Sequence, residues 1–400
     1  MSVEVRLGSV LESPPKNGYS PKDVPEWTGL KALGLGCLTP RGFAPSQLKN
    51  VPDSATARRF TLVNGDLLMS RANTRELVGL VGRFTDIGTA CIYPDLMMRL
   101  RPQADRCLPR YLEIVLRSSD VRREIQAGAR GTSESMVKIS ASLVENLRIP
   151  LPPLPEQRDI VAANEAFERR IGALERELAK LRTVEDAVVA GTMAEAGGRI
   201  ELGRWLSSIE AGKSPMAEDT PAGDGEWGVL KVSAVQPGWF KATENKVIRE
   251  AEFINARYAV STGDLLMTRA NTEELVGLAC VVRERAERLM LSDKTLRLVP
   301  DTSVADAEFI ELALLSPSVR SQVRSRATGT SASMKNIGQS AVRQLMVPDV
   351  PKDVQRKAVA AVSASRKRSQ GVQRQIAKLR TIQQGVIEDL LSGRSRVNRT

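Results

Sequence analysis

The run from Leu151 to Met193 constrains the fold more than any other stretch. Ile160, Phe167, Leu174, Leu181 and Val188 recur at every seventh residue, and Asn164, Ile171, Leu178 and Glu185 fall between them at alternating steps of four and three. Two rows at a period of about 3.5 make the narrow seam of a coiled coil rather than the broad face of a surface helix. Pro152, Pro153 and Pro155 close off the preceding chain, and Pro155 suits the first helical position, where its missing N–H costs nothing.

One such helix cannot bury its seam alone, and the chain supplies a partner. Ala179-Lys180-Leu181-Arg182-Thr183 returns as Ala377-Lys378-Leu379-Arg380-Thr381, a shift of 198 (377 − 179). The shift carries the seam onto Ala358, Ser365, Val372, Leu379 and Val386, and onto Val362, Ser369, Ile376 and Gln383. The charges differ: eight acidic and six basic residues lie between Glu156 and Asp186, against three acidic and twelve basic between Lys352 and Arg399. A slightly acidic helix and a strongly basic one suit each other as neighbours. Two independent surface helices, or a homodimer seam, would also satisfy the pattern. High effective concentration within one chain favours the internal pair.

The rest of the chain repeats as well. Val5-Arg6-Leu7-Gly8 is echoed by Ile200-Glu201-Leu202-Gly203, and Trp27 to Lys31 by Trp227 to Lys231. Gly65-Asp66-Leu67-Leu68-Met69-Ser70-Arg71-Ala72-Asn73-Thr74 becomes Gly263-Asp264-Leu265-Leu266-Met267-Thr268-Arg269-Ala270-Asn271-Thr272. A Gly-Thr-Ser loop stands at Gly131 to Met136 and again at Gly329 to Met334. Gly65-Asp66 reads as a turn into a short apolar strand, Val78 to Phe84 and Leu96 to Leu100 as strands, and Pro109 to Leu116 as a short helix. The order is therefore a mixed α/β domain over 1–150, a long helix over 151–195, a second such domain over 196–350 and a second helix over 351–395. If the helices pair antiparallel, a pseudo-twofold axis relates two similar domains. Such a pair suits a DNA target with two separated halves, one helical turn being ~34–36 Å.

Composition narrows the function. Four hundred residues with 42% hydrophobic content predict a soluble chain of two or more domains. The sequence has no apolar run of about eighteen and no signal peptide, which predicts a cytoplasmic protein without a membrane segment. Cys37, Cys91, Cys107 and Cys280 are scattered without CxxC pairing, which argues for a reducing compartment and against zinc. A net charge of +11 and a pI near 9.7 are compatible with a polyanionic partner. The absence of histidine removes an imidazole base, and Gly212-Lys213-Ser214 lacks the upstream glycine of a phosphate loop. Asp224 with Glu244-Asn245-Lys246 could be imagined around a metal, but the first copy has no matching acidic set. No catalytic residue, metal site or cofactor is expected.

The run Leu151-Pro152-Pro153-Leu154-Pro155-Glu156-Gln157-Arg158 leading into the heptad helix, the doubled GDLLM-S/T-RANT-x-ELVG segment and the doubled GTS loop resemble the specificity (S) subunit of type I restriction-modification enzymes. The resemblance covers nearly the whole chain. It implies two α/β target-recognition domains joined by two long helices in an antiparallel coiled coil, each domain reading half of a bipartite site in double-stranded DNA. It also implies two methyltransferase (M) subunits docked on the helices, and restriction (R) motor-nuclease subunits that join them. The second helix departs from the pattern, with Lys352-Asp353-Val354 where the first has Pro-Glu. A DNA-recognition subunit of another methylation-based defence system, or a coiled-coil scaffold unconnected with DNA, are the alternative readings.

Duplication sorts the candidate contacts. Domains that read different half-sites cannot use the same side chains, so polar residues present in both copies should hold the fold or grip phosphates. These are Arg71, Asn73, Thr132, Ser133 and Ser135, with Arg269, Asn271, Thr330, Ser331 and Ser333. Asn73 and Thr132 would alternatively satisfy turn backbone. Base readers belong where the copies diverge: Lys16, Asn17, Arg41, Lys49, Arg58 and Arg59 in the first, Lys213, Lys231, Lys241, Asn245 and Arg249 in the second.

Overall fold

The computed structural model describes residues 3–131, 136–284, 286–331 and 334–395. The chain divides into two units, one of residues 1–175 with 374–400 and one of residues 176–373, so each unit holds part of both long helices. The two division points are 198 residues apart (373 − 175), the shift of the sequence repeat.

In the first unit Leu67–Ser70 lies inside a four-stranded antiparallel sheet, between Met97–Leu100 and Val81–Arg83, with Lys16–Asn17 at the edge. All four residues of that strand are buried, because both faces are covered. Leu67 and Met69 join the core formed with the Pro109–Arg117 helix, while Leu68 joins a second cluster with Cys91, Tyr93 and Met97. A strand buried on both faces reads as an unbroken apolar run, which is why GDLLM shows no polar alternation. A second sheet sets Ala90–Ile92 parallel to Leu30–Leu33, with Leu48–Asn50 antiparallel on the other side. Val3–Arg6 pairs with Arg148–Leu151, the strand that leads into the first long helix.

The second unit repeats this plan. Leu265–Thr268 lies between Thr295–Pro300 and Ala279–Val281, with Leu206–Ala211 at the edge. Leu265 and Met267 face the core around Phe309 and Leu266 faces the other cluster, as in the first copy. The Asp of each Gly-Asp turn is held the same way. Arg99 donates to Asp66 Oδ2 at 3.2 Å and Arg297 to Asp264 Oδ2 at 2.9 Å. Gly65 and Gly263 carry φ of 96° and 95°, the left-handed region that a Cβ disfavours.

The long helices span Leu154–Ala194 and Lys352–Leu391 and pair antiparallel. In the first unit Gln383 Nε2 donates to Asn164 Oδ1 at 2.9 Å, and Arg380 meets Glu175 at 2.5 Å. In the second, Ser365 Oγ donates to the Leu181 carbonyl at 3.2 Å and Arg368 meets Glu177 at 2.7 Å. Rising numbers on one helix meet falling numbers on the other. The heptad rows hold through most of their length, but Val386 is exposed and its neighbour Ile387 is buried instead. Ile387, Leu390 and Leu391 turn into the first unit's core beside Ile160, so at that end domain contact overrides the seam.

A glutamine joins each domain to its helix. Gln157 is fully buried; its Oε1 accepts from the Leu108 N–H at 2.9 Å, and its Nε2 donates to the carbonyls of Arg106 and Pro152, both at 2.8 Å. Gln355 makes the same set with Asp306, Val304 and Val350. The altered start of the second helix therefore keeps its one buried polar tie. Among the described residues no helix is long and apolar enough to cross a membrane.

Gln157→Leu leaves one buried donor and two carbonyls unsatisfied, and should lower the unfolding free energy by ~2–4 kcal/mol in a urea titration. Gly385→Ala, in mid-helix with no atom within 4 Å of where the added methyl would stand, should raise it by ~0.5–1 kcal/mol.

Candidate nucleic-acid interface

In each unit the asparagine segment pairs with the strand that follows the Gly-Thr-Ser loop. Ala72–Asn73 pairs with Val137–Lys138, and Ala270–Asn271 with Met334–Asn336. The Ile139 N–H donates to the Arg71 carbonyl at 3.0 Å and the Ile337 N–H to the Arg269 carbonyl at 2.9 Å, which binds the strand after each Gly-Thr-Ser loop to each arginine segment. Arg71 and Arg269 are half-buried, and each makes one long contact, from Nη1 to the carbonyl of Asp95 or Asp293 at 3.5 Å. The remaining guanidinium donors have no partner among the described residues, which suits a phosphate contact. Asn73 Oδ1 accepts from the Thr74 N–H and Asn271 Oδ1 from the Thr272 N–H, both at 2.9 Å. Each asparagine oxygen thus serves its own turn, while the amide nitrogen has no partner among the described residues. Thr132, Ser133, Ser135 and Ser333 lie outside the described residues. The backbone of Thr330 and Ser331 runs in the strand Thr328–Ser331, and their side chains lie outside the description.

The residues from the diverged stretches fall into distinct settings. Lys16 and Asn17 form the exposed sheet edge, with Lys16 Nζ 5.7 Å from the Phe60 ring centroid. Arg59 and Lys213 are exposed, and neither side chain makes an ion pair with a described residue. Lys49 meets Asp23 at 3.4 Å, Arg58 grips Asp53 with two hydrogen bonds, and Lys241 meets Glu244 at 2.7 Å. Lys231 meets Asp219 at 2.6 Å, and this hydrogen bond is the main reason the Asp219 carboxyl is held below its ordinary range. Arg249 is shared between Glu218 and Glu226. Exposed ion pairs of this kind contribute ~0–1 kcal/mol each, so a phosphate can displace them at small cost.

Arg41 is paired with the first long helix, and Asn245 is enclosed by backbone. Arg41, in the turn between Leu38–Thr39 and Gly42–Phe43, reaches Glu175 of the first long helix at 3.4 Å. Asn245 is 3% exposed, accepts from the Ala222 N–H at 2.7 Å and donates to the Ala242 carbonyl at 2.8 Å. Sequence alone cannot distinguish such an asparagine from a surface one, because its partners lie 23 and 3 residues away along an irregular segment.

Duplication also marks features that residue type alone does not. Leu77 and Leu275, Met136 and Met334, and Val184 and Ile382 are large apolar side chains exposed at both members of a pair 198 residues apart. The first two pairs flank the asparagine segments. The third lies on the long helices, with Val184 at 54% and Ile382 at 41% exposure. By contrast Ile387 and Leu390 are buried, and Val161 packs on the first unit's core. Burial pushes the Cys107 and Cys280 thiols up to about 12, which leaves neither poised for chemistry.

No family model matches the chain. It is 30% identical over 162 residues to the type I restriction enzyme EcoEI specificity subunit of Escherichia coli, covering 40% of this chain and 27% of that one. It is 26% identical over 177 residues to the putative type I restriction enzyme MjaX specificity subunit of Methanocaldococcus jannaschii, covering 44% and 41%. The match therefore spans well under half of either relative's length. In fold, the chain matches a type I restriction-modification S subunit from M. genitalium with TM-score 0.58 and 14% identity, over 100% of this chain and 97% of that one. It matches a type I system chain solved for complex assembly and conformational transition with TM-score 0.56 and 16% identity, over 97% of both.

Asn245→Ala should lower stability by ~1–3 kcal/mol, because a buried N–H and carbonyl lose their partner. Arg59→Ala should change it by less than ~0.5 kcal/mol. Parallel urea titrations compare the two.

Proposed function

We propose that this chain, a relative of the type I restriction specificity subunits, is the DNA-recognition subunit of such an enzyme. It reads a bipartite site in double-stranded DNA with one domain per half-site and catalyses nothing itself. The observation that carries the proposal is the paired surface: Arg71 and Arg269, held alike beside the strand that follows each Gly-Thr-Ser loop, in two domains that share a core and differ in their remaining surface cations. A contact made identically in two readers of different sequence suits what all DNA shares. Base selection then falls to the unlike sets, with Lys16, Asn17, Arg59 and the ion-paired Arg41, Lys49 and Arg58 in one domain and Lys213 and the ion-paired Lys231, Lys241 and Arg249 in the other.

Partners perform the chemistry in this reading. Two methyltransferase subunits dock on the helix pair, and restriction motor-nuclease subunits join them, all in the cytoplasm where the DNA lies. Val184 and Ile382 support the docking reading, since an exposed apolar residue repeated on both helices suits a partner present in two copies.

Arg71→Ala and Arg269→Ala should each weaken DNA binding by the assembled enzyme and lower its salt slope by about one, without changing the methylated motif. Binding across a salt series, together with methylome sequencing, checks this; a changed motif would mean that these arginines read bases. Val184→Glu and Ile382→Glu should each reduce the methyltransferase bound per chain, with stability unchanged within ~0.5 kcal/mol. Light scattering of the co-expressed complex measures that stoichiometry, and full occupancy in the double variant would remove this docking site.

A further inference from the structure

One buried carboxylate stands at the same repeat position in each unit. Glu113 and Glu311 (311 − 113 = 198) are 3% and 0% exposed, on the helices Pro109–Arg117 and Ala307–Leu315. A buried charge is tolerated only when it is paired and hydrogen-bonded. Both are, and in each unit the pairing reaches across to the long helices.

In the first unit the bridging arginine belongs to the domain. Arg110 Nη1 donates to Glu113 Oε2 at 2.9 Å and its Nη2 to Glu168 Oε2, on the first long helix, at 2.5 Å. Asn164 Nδ2 donates to Glu168 Oε1 at 3.0 Å, and Gln383 of the second long helix donates to Asn164 at 2.9 Å. One polar chain thus ties the domain to both helices. In the second unit the bridging arginine belongs to the long helix. Arg366 Nη1 donates to Glu311 Oε1 at 2.6 Å and its Nε to Glu185 at 2.8 Å. Arg283 donates to both Glu311 oxygens, at 2.9 and 3.2 Å, and meets Glu308 at 3.4 Å.

Equivalent positions carry opposite charges. Arg110 corresponds to Glu308 and Glu168 to Arg366, each 198 residues on. The domain presents a cation and the helix an anion in the first unit, and the signs are reversed in the second. We propose that this inversion, carried by Arg110 with Glu168 in the first unit and by Glu311 with Arg366 in the second, is a key that seats each domain on its own stretch of the helix pair and refuses the other. The first domain on the second unit's helices would bring Arg110, and Arg83, which meets Glu113 at 3.3 Å, against Arg366, with Glu113 and Glu185 left to balance three cations. The second domain on the first unit's helices would bring Glu308 and Glu311 against Glu168 with Arg283 alone to balance them. Like charges juxtaposed away from water are strongly disfavoured, and such repulsion is how related surfaces are kept from exchanging.

A charge-swap cycle in the full chain tests the key. R110E and E168R should each lower the melting temperature by roughly 5–15 °C, and R110E/E168R should recover more than half of the loss. In the double variant the guanidinium introduced on the long helix takes the place beside Glu113 that Arg366 holds beside Glu311. E308R, R366E and E308R/R366E form the reciprocal cycle. If the charge-reversed singles fail to fold, R110Q, E168Q and R110Q/E168Q give the same comparison, the double being expected to cost less than the sum of the singles. Additive losses in these cycles would overturn the key. The proposal rests on the DNA reading only in a second measurement, selection of bound DNA from a random pool. R110E should lose one half of the selected motif and keep the other, and R110E/E168R should regain both. A wild-type chain that selects no motif would overturn the DNA reading, while the thermal cycles would still decide the key.

Discussion

Two long helices that can bury their seams only against each other govern the rest of this chain. Each unit contains a length of both, and the first domain has no complete core without residues from a distant part of the sequence. The first domain closes over Ile387, Leu390 and Leu391, which begin 236 residues (387 − 151) beyond the end of its own last strand. Burying three such side chains contributes ~4–9 kcal/mol before the entropy of ordering them, comparable to the net stability of a whole domain. The helices are therefore part of each domain as well as the connection between them.

Polar groups decide how the domains attach. Apolar contact is tolerant of small rotations, whereas Gln157 and Gln355, each with three backbone partners, fix where the chain enters its helix. Glu113 and Glu311 act further along, where a carboxylate without its arginine would be an unpaired buried charge. These ties define one arrangement, and the charged positions around the two glutamates, Arg110 and Glu168 against Glu308 and Arg366, differ in sign between the copies while the apolar framework around them stays alike. That separation of roles explains how two domains with the same core can be distinct in what they contact.

The surface follows the same division. What both copies present, Arg71 and Arg269 with open guanidinium donors, suits the common backbone of a polyanion. What differs is mostly engaged in weak exposed ion pairs, a reserve of cations that keeps the free protein's surface balanced while leaving each available at small cost.

The repeat by 198 residues, the paired heptads and the apolar GDLLM strands are legible without coordinates, because periodicity and duplication are properties of order along the chain. From them follow the α/β domains, the two long helices and their partnership, whereas the antiparallel sense comes from the family resemblance and from the contacts. The heptad rows fail at Val386, where a domain core rather than the partner helix claims the buried face. Individual contacts are not legible in this way. Asn245 carries the side chain of a base reader, yet it is buried against backbone, and nothing local to the residue signals it. The roles of Gln157 and Glu113 are hidden for the same reason, although the recurrence of both at the repeat shift is visible in the letters. Sequence order determined which elements exist and how often. The tertiary structure alone decided which polar groups meet, since burial and pairing depend on chain segments that are neighbours only after folding.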